Sequence, residues 1–248
     1  TKTDYMKRIL LLSAFAFSFL CGISAQDEVY EVKSPDNRIC MSLTRGGWDF
    51  ALVYRITVDG GNVVDWSNVG YTHSTGNVCD VASILPLSRE TAPVKEVWKP
   101  LWGKRKVVED VYNTQTFQIA GASIDMPVFN LEVRVYNDGV AFRVIPLRGS
   151  IRNESPVYYE HTDFRFAGDY TAWYYNGERH NIGPEKLSDA NGERLPIMIA
   201  KAADDLYLGV HEACLGVDGW PMRLRSETGS TKMSVIPERI VNPTGEHL

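Results

Sequence analysis

LEVRVYNDGVAFR, residues 131–143, has the pattern of a β-hairpin. Apolar and polar side chains alternate on both flanks, so each flank offers one face to a core and one to water. Asn137-Asp138-Gly139 separates the flanks, and these residue types tolerate the positive φ of tight hairpin turns. The stretch therefore predicts two antiparallel strands, Met126–Tyr136 and Val140–Pro146.

The same alternation recurs along the chain, separated by turn residues such as Asp59-Gly60-Gly61. Helix signals are weak throughout, and strands that recur at roughly ten-residue spacing are typical of a sandwich or barrel rather than of βαβ units. We therefore predict an all-β fold, a large antiparallel β-sandwich. The further predicted strands are Arg38–Thr44, Phe50–Val58, Gln115–Ile119, Leu195–Ala200 and Leu206–His211.

Composition narrows the functional classes. The 248 residues are 44% hydrophobic and 23% charged, which is ordinary for a globular protein and excludes collagen-like and wholly disordered chains. The formal net charge of −5 argues against a nucleic-acid partner, because phosphate binding needs a basic surface.

The N-terminus has the layout of a secretory signal peptide. Lys7 and Arg8 precede an apolar run, Ile9–Cys21, and small residues follow as far as Ala25. The run is too short to cross a bilayer, and no later stretch is apolar enough, so we expect no membrane span. We predict a signal peptide at residues 1–25, a mature domain at 26–248 and secretion to the periplasm; association with the outer membrane stays open as an alternative.

The segment Pro156–Glu193 differs from the rest of the chain. It mixes tyrosines and a tryptophan with carboxylates and histidines and shows little alternation, which predicts a long irregular segment that carries function. Trp173, Tyr174 and Tyr175 are expected in a loop there, where an aromatic ring can stack on a sugar. The alternative is that alternate members are buried and one faces out.

Four short stretches of the chain carry a resemblance to a known family. They are Ser34-Pro35-Asp36-Asn37, Trp98–Gly103, Leu131–Arg143 and His211-Glu212-Ala213. They resemble the N-terminal domain of glycoside hydrolase family 97, and the resemblance runs from about Val29 to Ile240. It implies a β-sandwich (super-sandwich) similar to galactose mutarotase. Members are exo-acting α-glucosidases and α-galactosidases, and their catalytic carboxylates lie in a (β/α)₈ barrel that follows the sandwich.

The resemblance implies a role beside that barrel. The 248 residues contain no barrel, so we expect the N-terminal domain of an α-glycosidase, inactive without its own catalytic barrel, whose partner is an oligosaccharide or glycoside substrate. In the family this domain lends one glutamate to a calcium ion. Glu178 is the first candidate and Glu185 the second, and His180 joins the three aromatic residues as a candidate for substrate binding. Glu178 is equally well explained as a solvated loop carboxylate.

Two other functions fit the sequence. A free-standing carbohydrate-binding module would use Trp173–Tyr175 as its platform, and a mutarotase would use His180 as acid with Glu178 as base. Elsewhere, Trp98 and Trp102 are interpreted as packing residues that fix a strand bend. Arg134 and Arg143 are predicted to pair with carboxylates of the sheet.

Overall fold

The computed structural model describes residues 28–46, 51–73, 81, 83–89, 92–121, 127–147, 157–213 and 221–237; the predicted signal peptide lies outside them. These residues form one 3-10 helix, Leu187–Asp189, and eighteen strands, which confirms the all-β prediction. In chain order the strands are β1 (Tyr30–Lys33), β2 (Ile39–Gly46), β3 (Ala51–Val58), β4 (Gly61–Asn68), β5 (Tyr71–His73), β6 (Ser83–Arg89), β7 (Val94–Trp98), β8 (Val108–Ala120), β9 (Pro127–Tyr136), β10 (Gly139–Pro146), β11 (Val157–Glu160), β12 (Asp163–Phe166), β13 (Thr171–Tyr175), β14 (Ile182–Lys186), β15 (Gly192–Lys201), β16 (Tyr207–Val210), β17 (Met222–Ser226) and β18 (Lys232–Pro237).

An antiparallel sheet of eleven strands makes up most of the domain. Its order is β1-β2-β3-β4-β12-β18-β17-β15-β13-β14, with β16 paired to β15 beside that path. The β3–β4 turn is the predicted one, because Asp59 and Gly60 adopt the positive φ angles of 50° and 83° that a tight hairpin needs. Strand β12 enters between β4 and β18, so segments far apart in sequence are neighbours in the sheet.

A second sheet contains the predicted hairpin of residues 131–143. Its order is β10-β9-β8-β6, with β7 also paired to β8. Strands β9 and β10 pair from Gly139 opposite Tyr136 to Pro146 opposite Phe129, which confirms the predicted hairpin. A small two-stranded sheet, β5 with β11, completes the fold.

The two larger sheets share one core. Tyr54 on β3 and Phe142 on β10 bring their ring centroids to 5.2 Å, which joins the eleven-stranded sheet to the second sheet. Side chains on one face of β9 are almost fully buried, as a half-buried strand requires. The sandwich prediction is therefore confirmed. The largest fully buried side chains are Tyr54, Tyr174, Phe117, Phe129, Met41, Leu43, Ile119, Leu131, Leu187, Met198, Leu224 and Met233.

The prediction that Pro156–Glu193 is irregular is wrong. The segment contains β11, β12, β13 and β14 and the start of β15. Burial alternates along β13. Ala172 and Tyr174 are buried, whereas Thr171 and Trp173, which precede them in turn, are partly exposed. Aromatic residues stand on both faces of this strand and hide the period of two from a hydropathy pattern.

Candidate functional site

The three aromatic residues expected to contact a sugar lie on β13 rather than in a loop. Tyr174 is 1% exposed, Trp173 is partly buried and Tyr175 is 48% exposed. Successive side chains of a strand point to opposite faces, so Tyr174 joins the core and Tyr175 ends the strand at the surface. The arrangement is the alternative in which alternate members are buried. Of the three rings, that of Tyr175 is the most exposed to solvent.

Glu178 and His180 lie in the turn that follows β13. The amide of Arg179 donates to the carbonyl of Asn176 at 3.2 Å, and the Asn176 side-chain amide donates to the carbonyl of His180 at 3.1 Å. Both candidate side chains are exposed. The turn therefore presents a carboxylate and an imidazole to solvent immediately beyond Tyr175.

Glu185 on β14 forms an ion pair with Arg194. Its Oε1 accepts hydrogen bonds from Arg194 Nη2 at 3.2 Å and Nε at 3.3 Å, and both side chains are mostly buried. The guanidinium also lies 5.5 Å from the ring centre of Tyr174. Burial raises the pKa of Tyr174, and the Glu185 charge adds to that rise. A cation at Glu185 would have to displace Arg194.

Strand register directs a further carboxylate toward the level of β15 at which Tyr175 pairs. Tyr175 pairs with Leu195 within β15, and Met198 pairs with Val210 at the end of β16. Because β16 runs antiparallel to β15, the chain beyond Val210 continues toward the level of Leu195. Glu212 is the second residue after β16.

A second carboxylate reaches a similar level from across the sheet. Leu224 on β17 pairs with both Arg194 on β15 and Val235 on β18. The amide of Val235 in turn donates to the carbonyl of Thr162 at 2.9 Å, and Glu160 lies two residues before Thr162. Strands β18, β17 and β15 lie between β12 and β13, so Tyr175 is several strands away from Glu160.

Glu160 and Glu212 interact electrostatically. Loss of water around the Glu160 carboxyl raises the pKa of that group above its ordinary value, and the Glu212 charge raises it further. The hydrogen bond with Thr162 favours the ionised form and opposes the rise only in part. Part of the Glu160 residue is nevertheless exposed to solvent, so the two like charges repel each other near the surface, where a bound cation would relieve that repulsion.

The sequence alone did not show that Glu160 and Glu212 interact. Glu160 lies in the segment singled out for its carboxylates, and Glu212 lies in one of the stretches that carry the family resemblance, but nothing local relates two residues of separate strands. Within the described ranges, no group of three or more His, Cys, Asp or Glu side chains is arranged to hold a metal. The pair therefore offers only part of a cation shell.

A comparison with protein families decides the membership of the chain. The family described as glycosyl-hydrolase 97 N-terminal matches residues 32–241. The chain belongs to glycoside hydrolase family 97. The match covers most of the described strands, from β2 to β18, and confirms the resemblance inferred from the sequence.

A curated relative is much longer than the part of it that aligns with this chain. The chain is 24% identical over 235 residues to a retaining alpha-galactosidase of Bacteroides thetaiotaomicron, an alignment that covers 87% of this chain and 33% of the relative. The chain thus spans about a third of the length of this relative.

Solved structures share the fold. A family 97 enzyme of Pseudoalteromonas sp. strain K8, in complex with panose, matches with a TM-score of 0.67 at 19% identity, covering 84% of this chain and 32% of that chain. The same enzyme in complex with acarbose matches with a TM-score of 0.67 at 20% identity and the same coverage. A beta-arabinopyranosidase matches with a TM-score of 0.70 at 17% identity, covering 88% of this chain and 37% of that chain. No helix in the described part of the chain is long and apolar enough to cross a membrane.

Proposed function

We propose that this chain is the N-terminal part of an exo-acting α-glycosidase, an α-glucosidase or α-galactosidase, and that it completes the substrate pocket of a catalytic barrel. The approach of Glu160 to Glu212 from separate strands carries the proposal, and the exposed ring of Tyr175 on β13 is a separate candidate contact. Similarity to an alpha-galactosidase and to an enzyme solved with panose and acarbose supports a glycoside substrate. Alone, the chain is expected to be inactive.

In this proposal the bond-breaking carboxylates belong to the barrel. Glycoside hydrolysis needs two carboxyl groups about 5–9.5 Å apart on either side of the scissile bond. The carboxylates of this chain instead lend negative charge and oxygen donors beside the sugar, while the exposed ring of Tyr175 contacts an apolar sugar face. The proposal includes export to the periplasm by a signal peptide at residues 1–25, so the protein recovered from the periplasm should begin near Gln26.

Calcium is the cofactor that this proposal includes. The ion takes six to eight oxygen ligands, and carboxylates are among its preferred donors. Glu160 and Glu212 fit part of such a shell, exposed Glu178 is a candidate for one further ligand, and Glu185 fits less well because Arg194 already neutralises it. When bound, calcium would supply positive charge beside the substrate; the residues of this chain would hold and orient it.

The calcium proposal predicts a thermal shift that depends on Glu212. A ligand that binds only the folded state raises the melting temperature. In residues 26–248, we expect a small calcium-dependent rise at millimolar calcium, which Glu212→Gln removes and Glu178→Gln lowers. Differential scanning calorimetry with and without calcium measures it.

The matched control is Glu227→Gln, a substitution of an exposed glutamate that follows β17 at the opposite end of that strand. It should leave the calcium-dependent rise unchanged. An equal rise in wild type and Glu212→Gln would remove Glu212 from the calcium site, and an equal effect of Glu227→Gln would show that calcium acts through general screening.

One observation favours a free-standing carbohydrate-binding module as a second candidate, namely the exposed ring of Tyr175 at the surface end of β13. Isothermal titration of the domain with maltose and galactose separates the two functions. As a pocket component, the chain should give no measurable heat below millimolar sugar. A clear binding curve that Tyr175→Ala abolishes, and that Tyr207→Ala leaves intact, would establish the binding module instead. Tyr207 is an equally exposed tyrosine at the opposite sheet end.

A further inference from the structure

Strand β7 and the first residues of β8 form a two-stranded arm that extends past the end of β9 in the second sheet. Strand β9 ends at Tyr136, which pairs with Tyr112, and from there back to Val108 the only described strand beside β8 is β7. At about 3.3 Å per residue this two-stranded part is about 13 Å long, and the loop 99–107 extends it. We call residues 94–112 the arm.

The arm exposes large apolar side chains at its tip and on both of its faces. Leu101 is 94% and Trp102 84% exposed, so the interpretation of Trp102 as a packing residue is wrong. Val97 and Trp98 are 59% and 49% exposed and, as successive strand residues, point to opposite faces. The indole N–H of Trp98 donates to Asp110 Oδ2 at 2.9 Å and holds that ring against the strand. Apolar exposure of this extent usually marks an interaction surface.

The tip is also strongly basic. Lys99, Lys104, Arg105 and Lys106 are all exposed within eight residues. They stand out in a chain whose formal net charge is −5. A surface that complements the tip must therefore be apolar at its centre and acidic at its rim.

We propose that the arm docks into the catalytic region that follows this domain in family 97 enzymes, with Leu101 and Trp102 as apolar anchors and the four cations on a carboxylate-rich rim. The inference rests on the proposed function. About two thirds of the length of the solved family 97 enzyme lies outside the part that this chain covers, so a polypeptide partner of sufficient size exists there. Glycosidases also place a pair of Asp or Glu residues at the scissile bond, so the catalytic region offers negative charge to a basic tip.

An anionic membrane is the competing partner, because basic residues beside tryptophan also bind lipid surfaces. A membrane would cover the tip alone. Val97 and Trp98 lie behind the tip and face opposite sides, so both are covered only where a partner encloses the arm. This geometry favours a protein groove.

The test compares one side chain in two molecules. Hydroxyl-radical footprinting with mass spectrometry would follow oxidation of Trp102 in residues 26–248 and in the complete gene product. We expect Trp102 to be readily oxidised in the isolated domain and to lose most of that reactivity in the complete enzyme. Tyr207, exposed on β16 and far from the arm in sequence, should be oxidised equally in both, as a control for general reactivity.

A variant supplies a second readout. In the complete enzyme, the double substitution Leu101→Ser and Trp102→Ser should separate a single melting transition into two, whereas Tyr207→Ser should not. Equal oxidation of Trp102 in a complete, active enzyme would overturn the docking proposal and leave the proposed function intact. Trp102 protected only by phosphatidylglycerol vesicles would likewise overturn it in favour of a membrane. A gene without any catalytic region would instead overturn the proposed function.

Discussion

Replacing Leu131 by alanine is expected to lower the free energy of unfolding by about 2–5 kcal/mol, the range for a leucine truncated in a packed core. Leu131 is fully buried on β9, where it pairs with Phe117 on β8 and Val144 on β10. These neighbours belong to a three-stranded framework that relaxes little, so a cavity should remain. Urea denaturation of residues 26–248 measures the change as a lower midpoint at constant slope.

Leu101→Ala is the matched control, because it removes the same atoms from a leucine that is 94% exposed. Truncation there should change stability by no more than about 0.5 kcal/mol. An equally large loss at both positions would mean that the arm is packed in the isolated domain and would contradict the exposed tip. A small loss at Leu131 would contradict the core position of that residue.

The sequence was sufficient wherever structure is local. The β9–β10 hairpin could be predicted almost to the residue, because alternation and the Asn137-Asp138-Gly139 turn lie within one short stretch. The ion pairs of Arg134 and Arg143 with Glu132 were also predictable as a class. Arg134 lies on the same face of β9 two residues from Glu132, and Arg143 lies opposite Glu132 on β10.

The candidate site was not predictable, because it depends on strand order. The Tyr54 hydroxyl donates to the carbonyl of Asp163 at 2.7 Å, although the two residues are 109 positions apart in sequence. Glu160 and Glu212 are likewise far apart in sequence and interact electrostatically. No local pattern specifies that β12 inserts between β4 and β18. The exposure of Trp102 was not predictable either, since hydropathy alone does not distinguish a tryptophan in the core from one at the surface.

Replacing Glu132 by glutamine is expected to lower stability at pH 7 by about 1–3 kcal/mol, the range for losing hydrogen bonds to charged groups. The Glu132 side chain is 14% exposed and accepts from Arg134 Nε at 2.8 Å and from Arg143 Nε at 2.7 Å. Burial alone would raise the pKa of Glu132, but the hydrogen bonds and charges of the two arginines outweigh it and hold the pKa below its ordinary value. Urea denaturation at several pH values gives the difference.

The sign of the pH dependence follows from that depressed pKa. The unfolded chain takes up the proton at a higher pH than the folded chain, so the contribution of Glu132 is present at neutral pH and is lost as the pH falls below about 4.5, the ordinary value, toward the folded pKa. The gap between wild type and Glu132→Gln should therefore narrow with acid. Glu109→Gln is the control, since Glu109 pairs with Lys95 at 3.4 Å with both side chains about 60% exposed. Solvent screens such a pair, so its removal should lower stability little at any pH. A loss of stability in Glu109→Gln equal to that in Glu132→Gln would show that partial burial does not strengthen the arginine pairs.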